Sequence, residues 1–433
     1  MEITVKSAKR TSRRAAVIAV VAVLGAVTAC SSSGGAGPTG GTSSGASNGP
    51  VTLEFWSFYT GSEADYVNKW VNDYNAAHKD VQIHHKVVSQ TDYTTTLIPT
   101  ALANGTAPDI LYVEPATFTK YADAGALADL TPYYTDDLKK DILPAVLKSV
   151  TYNDKLLALP IELETLGLFY DKTALAAEGV TPPKTWDEMK ADAKKLTNDK
   201  RFGVALPVED TGYTLFNFWP YLWMAGGDIK KGSDGKYSID TPQMAQALDF
   251  YGSFFQAGSS PKSLQIGPWD VGNVATGVAA MQESGSYAIK ATETDYKAAS
   301  IGVVPLPSPD GGKGITVAGG QKLAVNAASK HIKEAADFIF SGFGSTDLSV
   351  ASGWVTQAKF AYPARQSVID ANKDIFNQGL RADFTNFYDT ARPEPSYPAA
   401  VTQALQTALQ DVMFGGSTGA DAAKKAQATA NAG

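Results

Sequence analysis

A single cysteine, Cys30, stands among 433 residues. No intramolecular disulfide can form, so the fold must rest on its apolar core. Only four histidines are present, and none has ligand-like spacing, which argues against a transition-metal site. His84 and His85 point to opposite faces if they share a strand. There is no internal repeat, and no apolar run long enough to span a bilayer comfortably. Basic residues are the minority: 37 Lys and Arg against 44 Asp and Glu, a net charge of −7. That balance argues against nucleic acid or an anionic surface as the partner.

The first residues read as an address. Lys6, Lys9, Arg10, Arg13 and Arg14 precede an apolar run over 15–29, the pattern of a secretory signal. The run ends in Val27-Thr28-Ala29-Cys30, which resembles a bacterial lipobox. It implies cleavage before Cys30, lipidation of its thiol and attachment to the outer face of the cytoplasmic membrane. The Gly/Ser/Thr-rich stretch 30–50 is a flexible linker. Loss of 1–29 removes five basic residues and Glu2 and brings the net charge to −11. About 380 residues follow the linker, too many for one core and suited to two lobes.

Strand and helix patterns then alternate. Val51, Leu53 and Phe55 alternate as in a strand that ends at Trp56, and 63–77 carries Val67, Trp70, Val71 and Tyr74 at helical spacing. Thr60 to Glu63 has the makings of a cap. Further strands are expected at 81–87 and 109–113, with a helix over 91–104 between them. This order predicts a parallel α/β sheet, whose ligands sit beyond the carboxyl ends of the strands. Trp56, Tyr59, Glu63 and Glu114 occupy such positions. The stretch 155–170 is extended and apolar, long enough to pass between lobes. Thr185 to Glu188 is a capping box, and Thr241-Pro242 is a second helix start.

At this point the chain resembles the extracellular solute-binding proteins of the maltose-binding type. The resemblance runs from residue 51 onward, through segments in the family's order. They include VTLEFW at 51–56, ANGTAPDILYVEPA at 103–116, LALPIELETLGLFYDKTAL at 157–175 and WPYLWMAGGDI at 219–229. AAMQESGSYAI at 279–289 and VAGGQKLAVNAASKHIKEAADFI at 317–339 continue the set. The resemblance implies an α/β clamp of the periplasmic-binding-protein kind, with three interlobe crossings and a central cleft. The crossings are expected near 161–165, 303–306 and 357–365. Lobe 1 would then comprise 51–162 with 305–360, and lobe 2 163–304 with 361–433. It also implies a monomer without cofactor or catalysis, serving an ABC permease and, through it, a cytoplasmic ATPase.

A sugar ring has flat C–H faces and a rim of hydroxyls, so its site needs aromatic rings beside carboxylates or amides. Several loops are rich in both. Glu162 and Glu164 share a side of the first crossing if it is extended. Two carboxylates among apolar neighbours need a partner, so Glu164 is expected either to touch sugar or to form a salt bridge. The cluster Phe216, Phe218, Trp219, Tyr221 and Trp223 is the densest run of rings. The resemblance puts Phe216 and Trp219 at stacking positions and Tyr287 in the cleft. Phe218 and Leu222 are expected in the core. Gly319 and Gly320 would let backbone approach the ligand. Trp269, Trp354, Arg365 and Tyr397 are further candidates.

Carboxylates and aromatics also serve glycosidases, which need a fixed carboxylate pair roughly 5–10 Å apart. Groups borne on hinge segments move relative to one another, which disfavours that reading. G-x-S-x-G at 41–45, 45–49 and 415–419, and G-x-G-x-x-G at 35–40, lie in Gly/Ser-rich stretches without a preceding strand, so they carry no catalytic context.

Overall fold

The computed structural model describes residues 49–432, apart from Gln90, Thr91, Asp210, Ala298 and Phe360. The expected leader, Cys30 with its lipid and the linker up to Asn48 lie outside the described residues. Residues 49–433 form one compact unit.

The strands that build the architecture begin with β1 (Val51–Ser57), β2 (Val81–Val87), β3 (Ile110–Val113) and β4 (Leu159–Pro160). Next come β5 (Leu166–Asp171), β6 (Phe202–Ala205), β7 (Ala279–Gly285) and β8 (Ile301–Val304). β9 (Thr316–Ala318), β10 (Lys322–Val325) and β11 (Ala391–Pro393) follow. The first sheet has the order β2-β1-β3-β10-β4, and the second has β8-β5-β7-β6. β1 to β3 are parallel, as the alternation of strand and helix predicts. β10 enters from late in the chain, antiparallel to β3 and β4. All four residues of β3 are buried, as befits a central strand covered on both faces.

The helices follow from their apolar stripes and their ends. α1 (Gly61–Ala77) buries Val67, Trp70 and Val71, and α2 (Pro115–Asp123) starts directly after β3. Thr60 makes no side-chain cap on α1, contrary to expectation. α3 (Trp186–Leu196) has the capping box: Thr185 Oγ1 accepts from the Glu188 amide at 3.0 Å, and the Glu188 carboxylate accepts from the Thr185 amide at 3.0 Å. α4 (Gly212–Met224) is buried along most of its length, and α5 (Pro242–Gln256) is capped by Thr241. α6 (Ile289–Thr294), α7 (Ile332–Gly342), α8 (Ala399–Met413) and α9 (Gly419–Ala430) complete the layers used below.

Each sheet has its own core. The first joins Leu53, Phe55, Trp70, Tyr112, Leu323 and Phe338. The second joins Leu166, Leu168, Trp186, Phe218, Tyr251 and Leu405. Phe169, one residue on from Leu168, turns to the other face of the second sheet and packs with Val303 and Phe384. Core membership changes between Leu163 and Leu166, between Val317 and Ala318, and between Phe376 and Phe384.

The expected lobe boundaries and the passages at 303–306 and 357–365 therefore need correction. Val303 and Leu306 both pack on the second sheet, one on each face, so the proline-rich run after β8 stays with that half. Ala358, Tyr362, Ala364, Val368 and Phe376 all belong to the first core.

β7 carries Glu283 into the second core with no exposed surface. The Tyr221 hydroxyl donates to one of its oxygens at 3.2 Å, and the other oxygen has no partner. Burial drives this carboxyl well above the usual carboxylate range. The folded chain therefore keeps a proton that the unfolded chain releases from about pH 4.5 upward, and stability falls as pH rises through that window. Glu283→Gln removes the penalty. Its stability relative to the parent is expected to improve by about 1.4 kcal/mol per pH unit above that point, read by urea unfolding between pH 4 and 8. A gap independent of pH would contradict a protonated Glu283.

Candidate functional site

Strand pairing brings distant segments to one edge of the first sheet. Lys322, at the start of β10, lies opposite Val113 at the end of β3 and Pro160 at the end of β4. Glu114, the stretch 161–164 and the stretch 319–321 therefore meet there. The Gln321 amide donates to Glu162 Oε1 at 3.0 Å, and the Gly319 amide donates to the Glu164 carbonyl at 2.8 Å. On the second sheet Gly285 lies opposite Leu166, and the Ser286 amide donates to the Thr165 carbonyl at 3.0 Å. The short passage through Glu162 and Glu164 thus links the edges of both sheets.

Gly319 and Gly320 are also closed in by the protein itself. A Cβ on Gly319 would stand 2.7 Å from the Phe216 ring. Gly320 has φ +105°, and a Cβ there would stand 2.6 Å from the Glu162 carbonyl oxygen. Protein fills both spaces, and only glycine fits either position.

Charge is concentrated at this edge. Lys359 Nζ lies 2.6 Å from Glu162 Oε1 and 2.7 Å from Glu164 Oε1. Glu162 also accepts from Trp354 Nε1 at 2.7 Å. Burial alone would lower the Lys359 ammonium's pKa, but the two carboxylates outweigh it and hold it above its ordinary range. Burial raises Glu164 as well, against the pull of Lys359. The salt bridge expected of Glu164 is formed with Lys359.

The Tyr59 ring packs against Tyr112 and Trp354, each 4.9 Å away, with Lys359 Nζ 5.5 Å from its centroid. Its hydroxyl is buried and has no hydrogen-bond partner. Glu63, in the first turn of α1, is pushed up to about 7 by burial, with Lys359 opposing and Glu162 and Glu164 adding. On the other side of the edge, burial lowers Lys322 to about 8, and Glu394 is pushed up to about 8, again by burial first. Glu114 acts electrostatically on Glu164, Lys322 and Glu394.

The second half supplies the rings. Tyr213 lies 6.2 Å from Phe216, nearly parallel to it, and meets Trp269 edge-on at 6.1 Å. Its hydroxyl is 2.5 Å from that of Tyr287, which in turn feels Glu164. Trp269 is 58% exposed, the most open large apolar side chain among the described residues. β7 holds its loop in place: Ser284 Oγ donates to the Trp269 carbonyl at 3.1 Å and Gln282 Nε2 to the Pro268 carbonyl at 2.8 Å.

Tyr59, Glu63, Glu114, Glu164, Phe216, Tyr287, Gly319 and Gly320 thus gather about one edge, with Trp269 joined through Tyr213. Other candidates go elsewhere. Trp219 is 3% exposed, covered in the second core, with Tyr397 at 5.8 Å. Trp223 is covered too, with the Arg392 guanidinium 4.6 Å from its ring and Arg392 paired to Asp228 at 3.3 Å. The Tyr397 hydroxyl donates to the Ile229 carbonyl at 3.3 Å. Trp56 lies within β1 rather than past it, with Lys86 Nζ 4.6 Å from its ring. Arg365 is a structural ion pair: Nε donates to Asp141 at 2.7 Å and Nη1 to the carbonyls of Phe343 and Ser345.

Lys322, Lys359, Tyr213 and Glu394 escaped the sequence reading. The signal for Lys359 was present, since Glu162 and Glu164 called for a cation. Lys322 stood out as a charge opening the apolar strand Leu323–Ala324–Val325.

Two separate sheets with a charged, ring-lined junction define the two-lobed α/β fold of binding proteins, and solved structures share it. The cyclic alpha-maltosyl-1,6-maltose binding protein of Arthrobacter globiformis has a TM-score of 0.74 at 24% identity, covering 89% of this chain and 99% of that one. A solute-binding protein of Thermotoga lettingae, solved with alpha-D-tagatose, has 0.74 at 23%, covering 88% and 99%. Residues 60–341 match the bacterial extracellular solute-binding protein model, and the chain belongs to that family. A probable ABC transporter-binding protein of Deinococcus radiodurans is 30% identical over 62% of this chain and 64% of its own length. The maltotriose-binding protein of Pyrococcus abyssi is 27% identical over 67% of this chain and 62% of its own length. The chain thus spans less than two thirds of these two relatives.

Proposed function

We propose that the chain is the solute-binding component of an ABC importer, capturing a sugar or oligosaccharide between its halves and passing it to a membrane permease. The observation that carries this reading is the junction itself, where a row of rings ending in exposed Trp269 meets a bank of glutamates at the edges of two sheets. The sugar names of the relatives support it. In this reading the protein is a monomer held by a lipid on Cys30 at the extracellular face of the cytoplasmic membrane. It binds without breaking a bond: Glu162 and Glu164 share Lys359, which suits neither for the acid of a glycosidase.

Capture is by closure, and only contacts made solely in the closed state can drive it. Side-chain contacts bridge the halves, those of Lys290 and Ser396 among them. Lys290 on α6 donates to Ser62 on α1 and to the Ala358 carbonyl, the latter at 2.9 Å. Ser396 Oγ donates to the Ala116 carbonyl on α2 at 3.0 Å. Small-angle scattering with a bound oligosaccharide is expected to show a smaller radius of gyration than the free chain. Lys290→Met is expected to weaken binding about 3- to 10-fold, the worth of one or two hydrogen bonds. Bound sugar with an unchanged radius would contradict closure.

A further inference from the structure

Three segments of the second half meet where the rings gather, and one side chain joins them. Trp269 stands on a loop tied to β7, and Tyr287 on the turn that follows β7. Each ring lies against the backbone of its own segment. A Cβ on Gly267 would stand 2.6 Å from the Trp269 ring, and a Cβ on Gly285 would collide with the Tyr287 ring. Both rings also meet Tyr213, on the first turn of α4. Tyr213 faces Trp269 edge-on at 6.1 Å, and its hydroxyl lies 2.5 Å from that of Tyr287.

Tyr213 is itself well held. Asn217, fully buried one turn further along α4, donates from Nδ2 to the Tyr213 carbonyl at 2.8 Å. Thr214 Oγ1 donates to the Glu209 carbonyl at 2.6 Å and fixes the start of the helix. The Tyr213 ring runs nearly parallel to that of Phe216, 6.2 Å away, which in turn fits against Gly319. Ser284, whose hydroxyl donates to the Trp269 carbonyl, acts on the phenols of both Tyr213 and Tyr287.

We infer that Tyr213 is a positioning residue for the sugar, ordering the exposed Trp269 ring and the Tyr287 hydroxyl before the ligand arrives. A ring 58% exposed on a loop would otherwise be ordered only on binding, and that ordering weakens affinity. The tyrosine does two separable things. Its ring braces Trp269, and its hydroxyl aims that of Tyr287.

This inference rests on the sugar-binding reading, and one arm of its test needs no sugar. Fluorine NMR of the full chain labelled with fluorotryptophan, with the Trp269 signal assigned by Trp269→Phe, follows that ring directly. Tyr213→Leu is expected to shift the signal, and Tyr213→Phe to leave it in place because phenylalanine keeps the brace. A Trp269 signal unmoved by Tyr213→Leu would overturn the inference. The second arm is calorimetry with maltotriose, cellobiose, xylobiose and mannobiose. For the saccharide that binds, Tyr213→Phe should weaken binding about 3- to 10-fold, the worth of one hydrogen bond. Tyr213→Leu should weaken it about 10- to 100-fold, the cost of ordering two large side chains. In a Trp269→Ala background the leucine loss should shrink to that of Tyr213→Phe, since only the hold on Tyr287 is left to lose. Equal losses from Tyr213→Leu in both backgrounds would overturn the positioning role and leave the sugar clamp standing. Binding of none of the four saccharides would overturn both.

Discussion

Replacing Lys359 with methionine is expected to destabilise the folded chain by about 3–5 kcal/mol at pH 7, because it strips the cation from two buried carboxylates. Glu162 is fully buried and the Glu164 side chain is 13% exposed, so solvent cannot take over the role of Lys359. Lys359→Met combined with Glu162→Gln and Glu164→Gln should recover most of the stability, since removing a whole buried ion cluster costs far less than removing one member. Urea unfolding of the single and triple variants decides the matter. A single-variant loss below about 1 kcal/mol would mean the cluster is screened like a surface pair.

The second large effect separates binding from folding. Trp269→Ala is expected to weaken sugar binding by about 1–3 kcal/mol, roughly 10- to 100-fold, the worth of covering one large ring. Its melting temperature without ligand should stay close to that of the parent, because the ring is 58% exposed and Ser284 and Gln282 hold its loop through backbone carbonyls. Trp219→Ala should do the reverse. That ring is 3% exposed, so its truncation opens a cavity costing about 3–5 kcal/mol of stability. Equal loss of affinity from Trp269→Ala and from an exposed tryptophan-free control surface would show that Trp269 is not a ligand platform.

Much of the frame is legible in the sequence because it is local. The alternation Val51, Leu53, Phe55 marks β1, the unbroken ILYV of β3 marks a covered strand, and Thr185 with Glu188 marks the start of α3. Glu114 is found by the same logic, as the residue after a strand that ends at the site. The charge network is not local. Lys359 meets Glu162 across 197 residues, and Gln321 meets it across 159. Pairing at that range depends on β10 inserting antiparallel between β3 and β4, which no spacing reveals. Rings pose the other difficulty. Density at 216–223 says that some rings are buried, but not that Trp219 and Trp223 are covered while Trp269, isolated in a Gly-Pro stretch, is open. Arg365 illustrates a third limit: a charge in an expected crossing looks the same whether it waits for ligand or already holds Asp141.

The most direct test of the proposed function is a thermal-shift screen of the folded chain against mono- and oligosaccharides, amino acids and polyamines. A ligand that binds only the folded state raises the melting temperature by mass action. A rise with one saccharide class, reduced in Trp269→Ala and with the sugar recovered intact, is the expected result. A rise confined to amino acids or polyamines, or a saccharide recovered cleaved, would contradict the sugar clamp.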